Sequence, residues 1–278
     1  MKPKRISELI CAIAALLLAS CSGTETGSDG HGDGHTGHWG YQVDNGPDAW
    51  GSMNSEWILC AEGLEQSPID LANATAIELP VAEIDTPSGQ EVEVLNQEGV
   101  ISALDNGHTI QVNSKVGETM TVGDKNYSLV QFHFHAPSEH TVNGKHFPME
   151  MHFVYQGEDG ALAVVGVFVA DGARNSSIAA LWAQLPEGPG TEATVRVPAE
   201  FADQIFTGDA SGVYHYNGSL TTPPCSEGVK WYIRKTPTQF SNEQIAAFTA
   251  TYDHNNRPVQ ALNKRTLYVD QNPTVTIY

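Results

Sequence analysis

The sequence has few basic side chains for its length. Its 278 residues include 14 Lys and Arg against 33 Asp and Glu, so the formal net charge is −19. Such a surface would repel a phosphate backbone, and we expect no nucleic-acid partner. The charged fraction is 17% and the hydrophobic fraction 40%, a composition that supports a buried core and argues against disorder over most of the chain.

Long apolar runs are also scarce, and the only sustained one lies within residues 1–20. Three basic residues precede a short apolar stretch, a pattern typical of an export signal and too brief to span a bilayer comfortably. The following Leu18-Ala19-Ser20-Cys21 is typical of a bacterial lipobox. We therefore expect removal of residues 1–20 and lipidation of Cys21, which would place the protein in the periplasm or at the outer membrane with a lipid as its one membrane contact. A simple cleaved signal followed by a chance cysteine is the alternative.

Cysteine is rare, with four in the chain. If Cys11 leaves with the signal and Cys21 is acylated, Cys60 and Cys225 remain as an even pair in an oxidising compartment. We predict a disulfide between them, which would contribute about 3–5 kcal/mol by restricting the unfolded chain. Two buried free thiols are the alternative.

Residues 21–37 are rich in Gly and His and predict a flexible tether. Three histidines in or next to it, His31, His35 and His38, have nothing around them that would set a metal geometry, so we interpret the segment as a solvated linker that binds metal loosely if at all. Residues 38–278 show no second break in composition, and we predict a single domain there.

Helical patterns are few in this domain, and short alternating segments bounded by Gly, Asn, Asp and Pro dominate it. We predict a mainly β (α+β) domain with peripheral helices. Two helices are expected, one over Asn175–Leu185 with Ser176 or Ser177 as its cap, and one after Ser241. The predicted strands are Glu91–Leu95, His108–Val112, Tyr127–His135, Met149–Tyr155, Leu162–Val169 and Lys230–Arg234, of which Leu162–Val169 is apolar enough to be buried on both faces.

A cluster of histidines lies on two of these strands. Because side chains alternate along a strand, Gln131, His133 and His135 share one face. Asn143-Gly144 is a strong turn signal; a hairpin centred on it would lay Met149–Tyr155 antiparallel to the first strand, with His152 nearly opposite His135. Three imidazoles would then converge and leave a fourth tetrahedral position of a metal ion open for water.

Two further polar residues are spaced to orient these ligands. Gln131 lies two residues before His133, and Glu150 lies two residues before His152. A metal-bound imidazole usually donates its other N–H to such a group, which sets the tautomer and the ring direction. The alternative, a merely solvent-facing polar row, would explain an isolated His-x-His but not the whole set.

The chain resembles the α-class carbonic anhydrases from about residue 38 to residue 262. The segments that carry the resemblance occur in the family's order, and they are Trp39-Gly40-Tyr41, Gln66-Ser67-Pro68-Ile69-Asp70, Asn106-Gly107-His108, Gln131–His135, Ser138–Val142, Glu150-Met151-His152, Gly218–Cys225 and Asn256-Arg257-Pro258-Val259-Gln260. The resemblance implies a twisted, mostly antiparallel sheet of about ten strands with zinc in a conical cleft. It also implies the reversible hydration of carbon dioxide to bicarbonate.

The resemblance further implies roles for individual residues. His133, His135 and His152 would bind Zn²⁺. Thr221 would accept a hydrogen bond from zinc-bound hydroxide and donate one to Glu139. The remaining roles fall on His108 as proton shuttle, on Thr222 as a bicarbonate contact, and on Val154, Val164, Leu220 and Trp231 as the apolar wall for carbon dioxide.

The chain departs from the family pattern in a few places. Gln111 replaces an asparagine that is common in the cleft, and the segment from Ala136 to Ser138 is shorter than in animal members. Tyr214-His215-Tyr216 also differs from the usual aromatic run. None of these departures removes a ligand. The sequence leaves the oligomeric state open, with a dimer among the alternatives.

Two functions from other classes compete with this interpretation. A cupin-type oxygenase would use Glu139 as a further ligand and bind iron or manganese. It leaves His108 and the segment Ser219–Pro224 without a role. A lipid-anchored zinc-scavenging protein would explain the exported histidines without any turnover.

Overall fold

The computed structural model describes only part of the chain. The described residues are 38–78, 82–85, 99–105, 107–113, 118–186, 188–197, 201–206, 211–273 and 275–277. Contacts divide the chain into two units, residues 1–38 and residues 39–278. The predicted signal, Cys21, the tether and the predicted strand Glu91–Leu95 all lie outside the described residues. Among the helices that are described, none has the length and apolar character to cross a membrane.

The second unit is built on strands. Their bounds are β1 Thr75–Ala76, β2 Ala82–Asp85, β3 Gly99–Asp105, β4 Ile110–Asn113, β5 Thr119–Val122, β6 Lys125–His135, β7 Met149–Gly157, β8 Leu162–Asp171, β9 Thr191–Val197, β10 Ser211–Ser219, β11 Glu227–Phe240, β12 Tyr268–Pro273 and β13 Val275–Ile277. They form one sheet whose main path runs β1-β12-β10-β11-β8-β7-β6-β4-β3-β9. Most neighbours are antiparallel, whereas the pairs β11–β8, β1–β12 and β13–β2 are parallel. The predicted fold class is confirmed.

The centre of the sheet is buried on both faces, as the apolar run in β8 predicts. Every residue from Ala163 to Val169 is buried. On one face, Phe132 and Phe134 of β6 enter a large apolar cluster with Phe153 of β7, and the rings of Phe132 and Phe153 stack with centroids 5.1 Å apart. The alternate residues of the same two strands are therefore presented to the opposite face.

The pairing of β6 with β7 differs from the prediction by two residues. His152 pairs with His133, and Glu150 pairs with His135. Asn143-Gly144 does form a tight turn between Val142 and Lys145, and both of its residues have positive φ. The turn lies inside the longer connection 136–148 and is therefore separated from the strand ends.

An excursion of the connecting segment causes this shift. Ser138 is aligned with Phe147 in the strand register, because Ser138 N–H donates to Phe147 O at 3.0 Å. Between Ser138 and Val142 the chain turns aside, so that Thr141 O accepts from Leu71 N–H at 2.7 Å. The extra residues carry Glu139 and His140 into the interior. A shift of two preserves the face of every side chain, so the three predicted imidazoles still share one face.

Helices are short and peripheral, as predicted. They are α1 Trp50–Met53, α2 Leu59–Glu62, α3 Ser176–Trp182, α4 Phe201–Ile205 and α5 Asn242–Thr249, with a 3₁₀ helix at Ser55–Trp57. Ser241 caps α5 and forms a capping box with Gln244, which confirms that prediction.

The start and end of α3 differ from the prediction. Its N-cap is Asn175, whose Oδ1 accepts from Ile178 N–H at 3.0 Å. The hydroxyls of Ser176 and Ser177 both donate to Gln204 Oε1 at 2.7 Å and so do not cap the helix. The helix ends at Trp182 instead of residue 185.

The predicted disulfide is present. Cys60 and Cys225 are bonded across a sequence separation of 165 residues. Both are buried and pack with Trp50. The bond ties the N-terminal helices of this unit to the segment between β10 and β11, in which Thr221 and Thr222 lie.

Candidate metal centre

Three histidines meet on the polar face of β6 and β7. His133 and His135 follow one another on that face of β6, and His152 lies beside His133 on β7. One ring nitrogen from each lies within 4.8 Å of the others. The ring centroids of His135 and His152 are 4.6 Å apart. The structure therefore brings together the ligands that the sequence predicts, although their cross-strand pairing differs.

Each ring has a neighbour on the side away from the cluster. His133 Nδ1 donates to Gln131 Oε1 at 2.9 Å, and His135 Nδ1 donates to the backbone carbonyl of Asn255 at 2.7 Å. His152 Nε2 lies 3.0 Å from Glu150 Oε1, a close but poorly aligned contact. These contacts leave Nε2 of His133 and His135 and Nδ1 of His152 as the donor atoms for a metal ion.

The protonation states of the first two imidazoles suit metal binding. Burial lowers the pKa of His133 well below its usual range, and the neighbouring histidines lower it further. Burial likewise lowers the pKa of His135. Both rings are therefore neutral near pH 7, and only the neutral form can ligate a metal.

The third imidazole sits against a carboxylate. Burial opposes charge on His152, but the Glu150 carboxylate outweighs it and raises the pKa of His152. Burial also opposes charge on Glu150, but His140 and His152 outweigh it and hold the pKa of Glu150 well below its usual range. Glu150 is thus an anion next to the histidine cluster, where it would offset part of the charge of a divalent cation.

A glycine makes room for that carboxylate. Gly166 pairs with His152 on the neighbouring strand β8. A methyl group at this position would lie 3.0 Å from Glu150 Oε1 and 3.1 Å from Ile233. A side chain at position 166 would therefore crowd the Glu150 carboxylate.

Glu139 is a second fully buried carboxylate at the cluster. Its Oε1 accepts from Arg257 N–H at 2.8 Å. Its Oε2 lies 3.5 Å from His135 Nε2 and 3.7 Å from His152 Nδ1, yet it makes no hydrogen bond within the described part of the chain. The implied hydrogen bond from Thr221 to Glu139 is therefore absent from the structure, although Thr221 is itself buried.

The four apolar residues predicted to form a wall lie together. Val154 pairs with Val164, and Val164 pairs with Trp231 on the next strand. Leu220 packs against the same cluster, which also includes Val229. The Trp231 ring is 4.8 Å from the His152 ring. The apolar surface thus adjoins the three-histidine cluster.

His108 lies close to the start of β4. Its ring stacks on Trp39 with centroids 3.6 Å apart and planes 10° apart. Its carbonyl accepts from Asn255 Nδ2 at 3.0 Å. Gln111, three residues further on, pairs with His133 on β6 and donates to Asn113 Oδ1 at 2.7 Å.

Two contributors to the site were not predicted from the sequence. Asn255 orients His135 through its backbone carbonyl, and such a role leaves no side-chain signal in a sequence. Its side chain also binds the backbone of Ala136, Phe134 and His108. His140 lies within a recognised segment, but nothing in its spacing shows that it is wholly buried against Glu150 at 2.8 Å.

The donor set fits a metal ion. Within the described residues, the buried atoms without a hydrogen-bond partner include His135 Nε2 and Glu139 Oε2. Buried polar atoms of this kind are costly unless something binds them. Three imidazoles with a fourth position open are typical of a catalytic metal centre and not of a closed structural one. The fold and the site together define a metal-dependent enzyme on a large twisted sheet.

Comparison with known proteins identifies the family. Residues 45–271 match the eukaryotic-type carbonic anhydrase family. A carbonic anhydrase from Pectobacterium carotovorum is 40% identical over 229 residues, which are 82% of this chain and 89% of that protein. The α-carbonic anhydrase of Thermovibrio ammonificans, solved with the inhibitor sulfanilamide, is 40% identical with a TM-score of 0.73, and the match covers 83% of this chain and 98% of that one. The α-carbonic anhydrase of Photobacterium profundum is 36% identical with a TM-score of 0.73, over 83% of this chain and all of that one.

This chain belongs to the α-carbonic anhydrase family, whose members are lyases that hydrate carbon dioxide. The family assignment excludes the cupin interpretation.

Replacing His152 with Ala should abolish stoichiometric metal binding, because two imidazoles on one strand cannot complete the site. Metal analysis of the purified protein after dialysis measures this. The control is His254→Asn, because His254 is exposed and Asn tolerates its positive φ. Full metal content in His152→Ala would refute the three-histidine centre.

Proposed function

We propose that this protein catalyses the reversible hydration of carbon dioxide at a zinc ion held by His133, His135 and His152, with His108 carrying the product proton to solvent. One observation carries the proposal: three imidazoles converge, His135 and His152 buried and His133 half-buried, and each has a separate neighbour beside its ring. Zinc is the metal that three imidazole ligands and an open position suit best. When bound, zinc lowers the pKa of a coordinated water to about 7, an effect for which carbonic anhydrase is the established example.

Glu139 and Thr221 are proposed to orient the reacting oxygen. Glu139 Oε1 is occupied by the Arg257 N–H and Oε2 has no hydrogen-bond partner among the described residues, so Oε2 is the oxygen that would accept from the Thr221 hydroxyl during the reaction. A hydroxyl that donates to a carboxylate can only accept from its other side. Thr221 would then accept a hydrogen bond from the nucleophile and direct a lone pair at the substrate.

The apolar wall and Thr222 are proposed to bind the two forms of the substrate. Carbon dioxide is linear and nonpolar, which suits the surface formed by Val154, Val164, Leu220 and Trp231 beside His152. Bicarbonate is charged and needs a hydrogen-bond partner, which Thr222 would supply.

His108 is proposed as the proton shuttle. Each turnover releases a proton that must leave the site, and an imidazole ordinarily titrates near neutral pH. The stack on Trp39 holds one orientation of the ring. Asn255 orients His135 through its backbone carbonyl, and its side chain also donates to the carbonyl of His108. Asn255 therefore links the histidine cluster to the backbone of the proposed shuttle.

We also propose that the protein is exported and anchored through a lipid on Cys21. The Cys60–Cys225 disulfide supports export, because disulfides persist in oxidising compartments and are rare in the cytosol.

Stopped-flow hydration before and after zinc removal tests the proposal directly. The purified protein should contain one equivalent of zinc, lose hydration activity on chelation and regain it when zinc is added back. Zinc content without turnover would favour a scavenging protein instead, and full turnover without zinc would overturn the proposal.

Glu139→Gln should retain zinc, because Glu139 is not a ligand, and should lower kcat/KM by about 10–100-fold. The amide can still accept from Arg257 N–H through its oxygen, but its nitrogen cannot accept from Thr221. Glu158→Gln, at an exposed turn, is the control. Loss of zinc in Glu139→Gln would show that Glu139 is a ligand after all.

His108→Ala should lower kcat in weak or bulky buffer and leave kcat/KM nearly unchanged. The attack on carbon dioxide does not use the shuttle, whereas kcat includes proton release. A small imidazole buffer should restore much of the loss. A parallel fall in kcat/KM without rescue would show that His108 shapes the site and carries no proton.

A further inference from the structure

A chain of buried polar groups runs outward from Glu150, behind the metal ligands. His140 Nδ1 donates to Glu150 Oε1 at 2.8 Å. His140 Nε2 lies 2.7 Å from the Tyr216 hydroxyl on β10, which in turn lies 2.8 Å from Ser67 Oγ. Each of these four residues is at most 1% exposed, so no bulk water can replace any partner.

One arrangement of protons gives every group in this network a hydrogen-bond partner. Glu150 is an anion and can only accept, so His140 must carry a proton on Nδ1. The other nitrogen of a neutral imidazole then accepts from the Tyr216 hydroxyl. Ser67 can donate to the Tyr216 oxygen, while Ser67 Oγ accepts from Ser219 N–H at 3.0 Å. Glu150 thus sets the tautomer of His140, and the Tyr216 hydroxyl holds the direction of its ring from the other side.

Glu150 is held from the opposite side by the backbone. Its Oε2 accepts from the N–H groups of Glu139 and His140, both at 2.9 Å. Its Oε1 faces His140 and also His152 Nε2, at 3.0 Å. Two sets of contacts thus orient the Glu150 carboxylate toward His152: the backbone N–H groups of the excursion and the imidazole of His140.

We infer that Tyr216 and His140 are positioning residues for metal retention: Tyr216 orients His140, His140 orients Glu150, and Glu150 orients His152. The inference rests on the proposed zinc site. According to this inference, the rate of metal release depends not only on the groups that contact the ligands but also on the Tyr216 hydroxyl. That hydroxyl lies on a different strand, β10, close to the Ser219–Thr222 segment.

Tyr216→Phe tests the inference, because it retains the ring that stacks on Trp231 and removes only the hydroxyl. We expect the rate constant of zinc release to an excess of chelator to rise about 10-fold, the lower end of the effect of removing a direct partner of a ligand. The rate is measured at 25 °C on zinc-loaded protein that circular dichroism shows to be folded. Tyr214→Phe is the matched control, since Tyr214 lies on the same strand, is half-buried and is outside the network.

A purely structural role for Tyr216 predicts a different result. The melting temperature of the zinc-free protein would fall, and the folded protein would release zinc at the rate of the unmodified protein; that outcome overturns the inference. If the unmodified protein binds no zinc, the proposed function fails. If it binds zinc and is active but Tyr216→Phe releases zinc no faster, the present inference alone fails.

A second pair of variants decides the matter if Tyr216→Phe does not fold. His140→Asn places an amide N–H where Nδ1 stood and can retain the bond to Glu150, whereas His140→Leu cannot. The inference predicts faster zinc release from His140→Leu than from His140→Asn. Equal rates in the two variants would overturn it.

Discussion

Burial of charge in the middle of a sheet is the constraint on which the rest of the site depends. Glu150 has no exposed surface and stays ionised, because two imidazoles and two backbone N–H groups compensate its charge. An uncompensated carboxylate there would cost several kcal/mol. The compensation requires the backbone excursion after Ser138, and the excursion is what carries Glu139 and His140 inside. The irregular connection between β6 and β7 is therefore needed to bury the Glu150 carboxylate beside the histidine cluster.

The two faces of the same strands have separate tasks. Phe132, Phe134 and Phe153 form apolar packing on one side, and this packing holds β6 and β7 in a rigid register. The histidines on the other face are held in place by the same packing, since a side chain on a central strand cannot shift its backbone without moving the aromatic core. Such preorganisation suits a centre in which the ligand atoms must lie within a few tenths of an ångström of their working positions.

The chain elements around the site come from widely separated parts of the sequence. Asn255 reaches His135 across 120 residues, and Tyr216 reaches His140 across 76. The disulfide adds a third long-range connection, next to Thr221 and Thr222. In the proposed reaction each element has its own role. The sheet holds the metal, Thr221 and Thr222 after β10 orient the reactants, and His108 before β4 carries the proton.

The local sequence by itself determined the elements and the faces. Alternation placed His133 and His135 together, the apolar run identified β8 as a central strand, and Ser241 marked the start of α5, because each of these depends on neighbours along the chain. The pairing of His152 with His133 was decided by the tertiary structure, since the excursion at Glu139–Thr141 is stabilised by bonds to Ile69 and Leu71, far away in sequence. The same holds for the cap of α3, where Gln204 binds both serines and leaves Asn175 to cap the helix. The carbonyl of Asn255 and the partners of His140 also needed the fold, because a backbone group or a buried imidazole acquires its role only from what the fold packs against it.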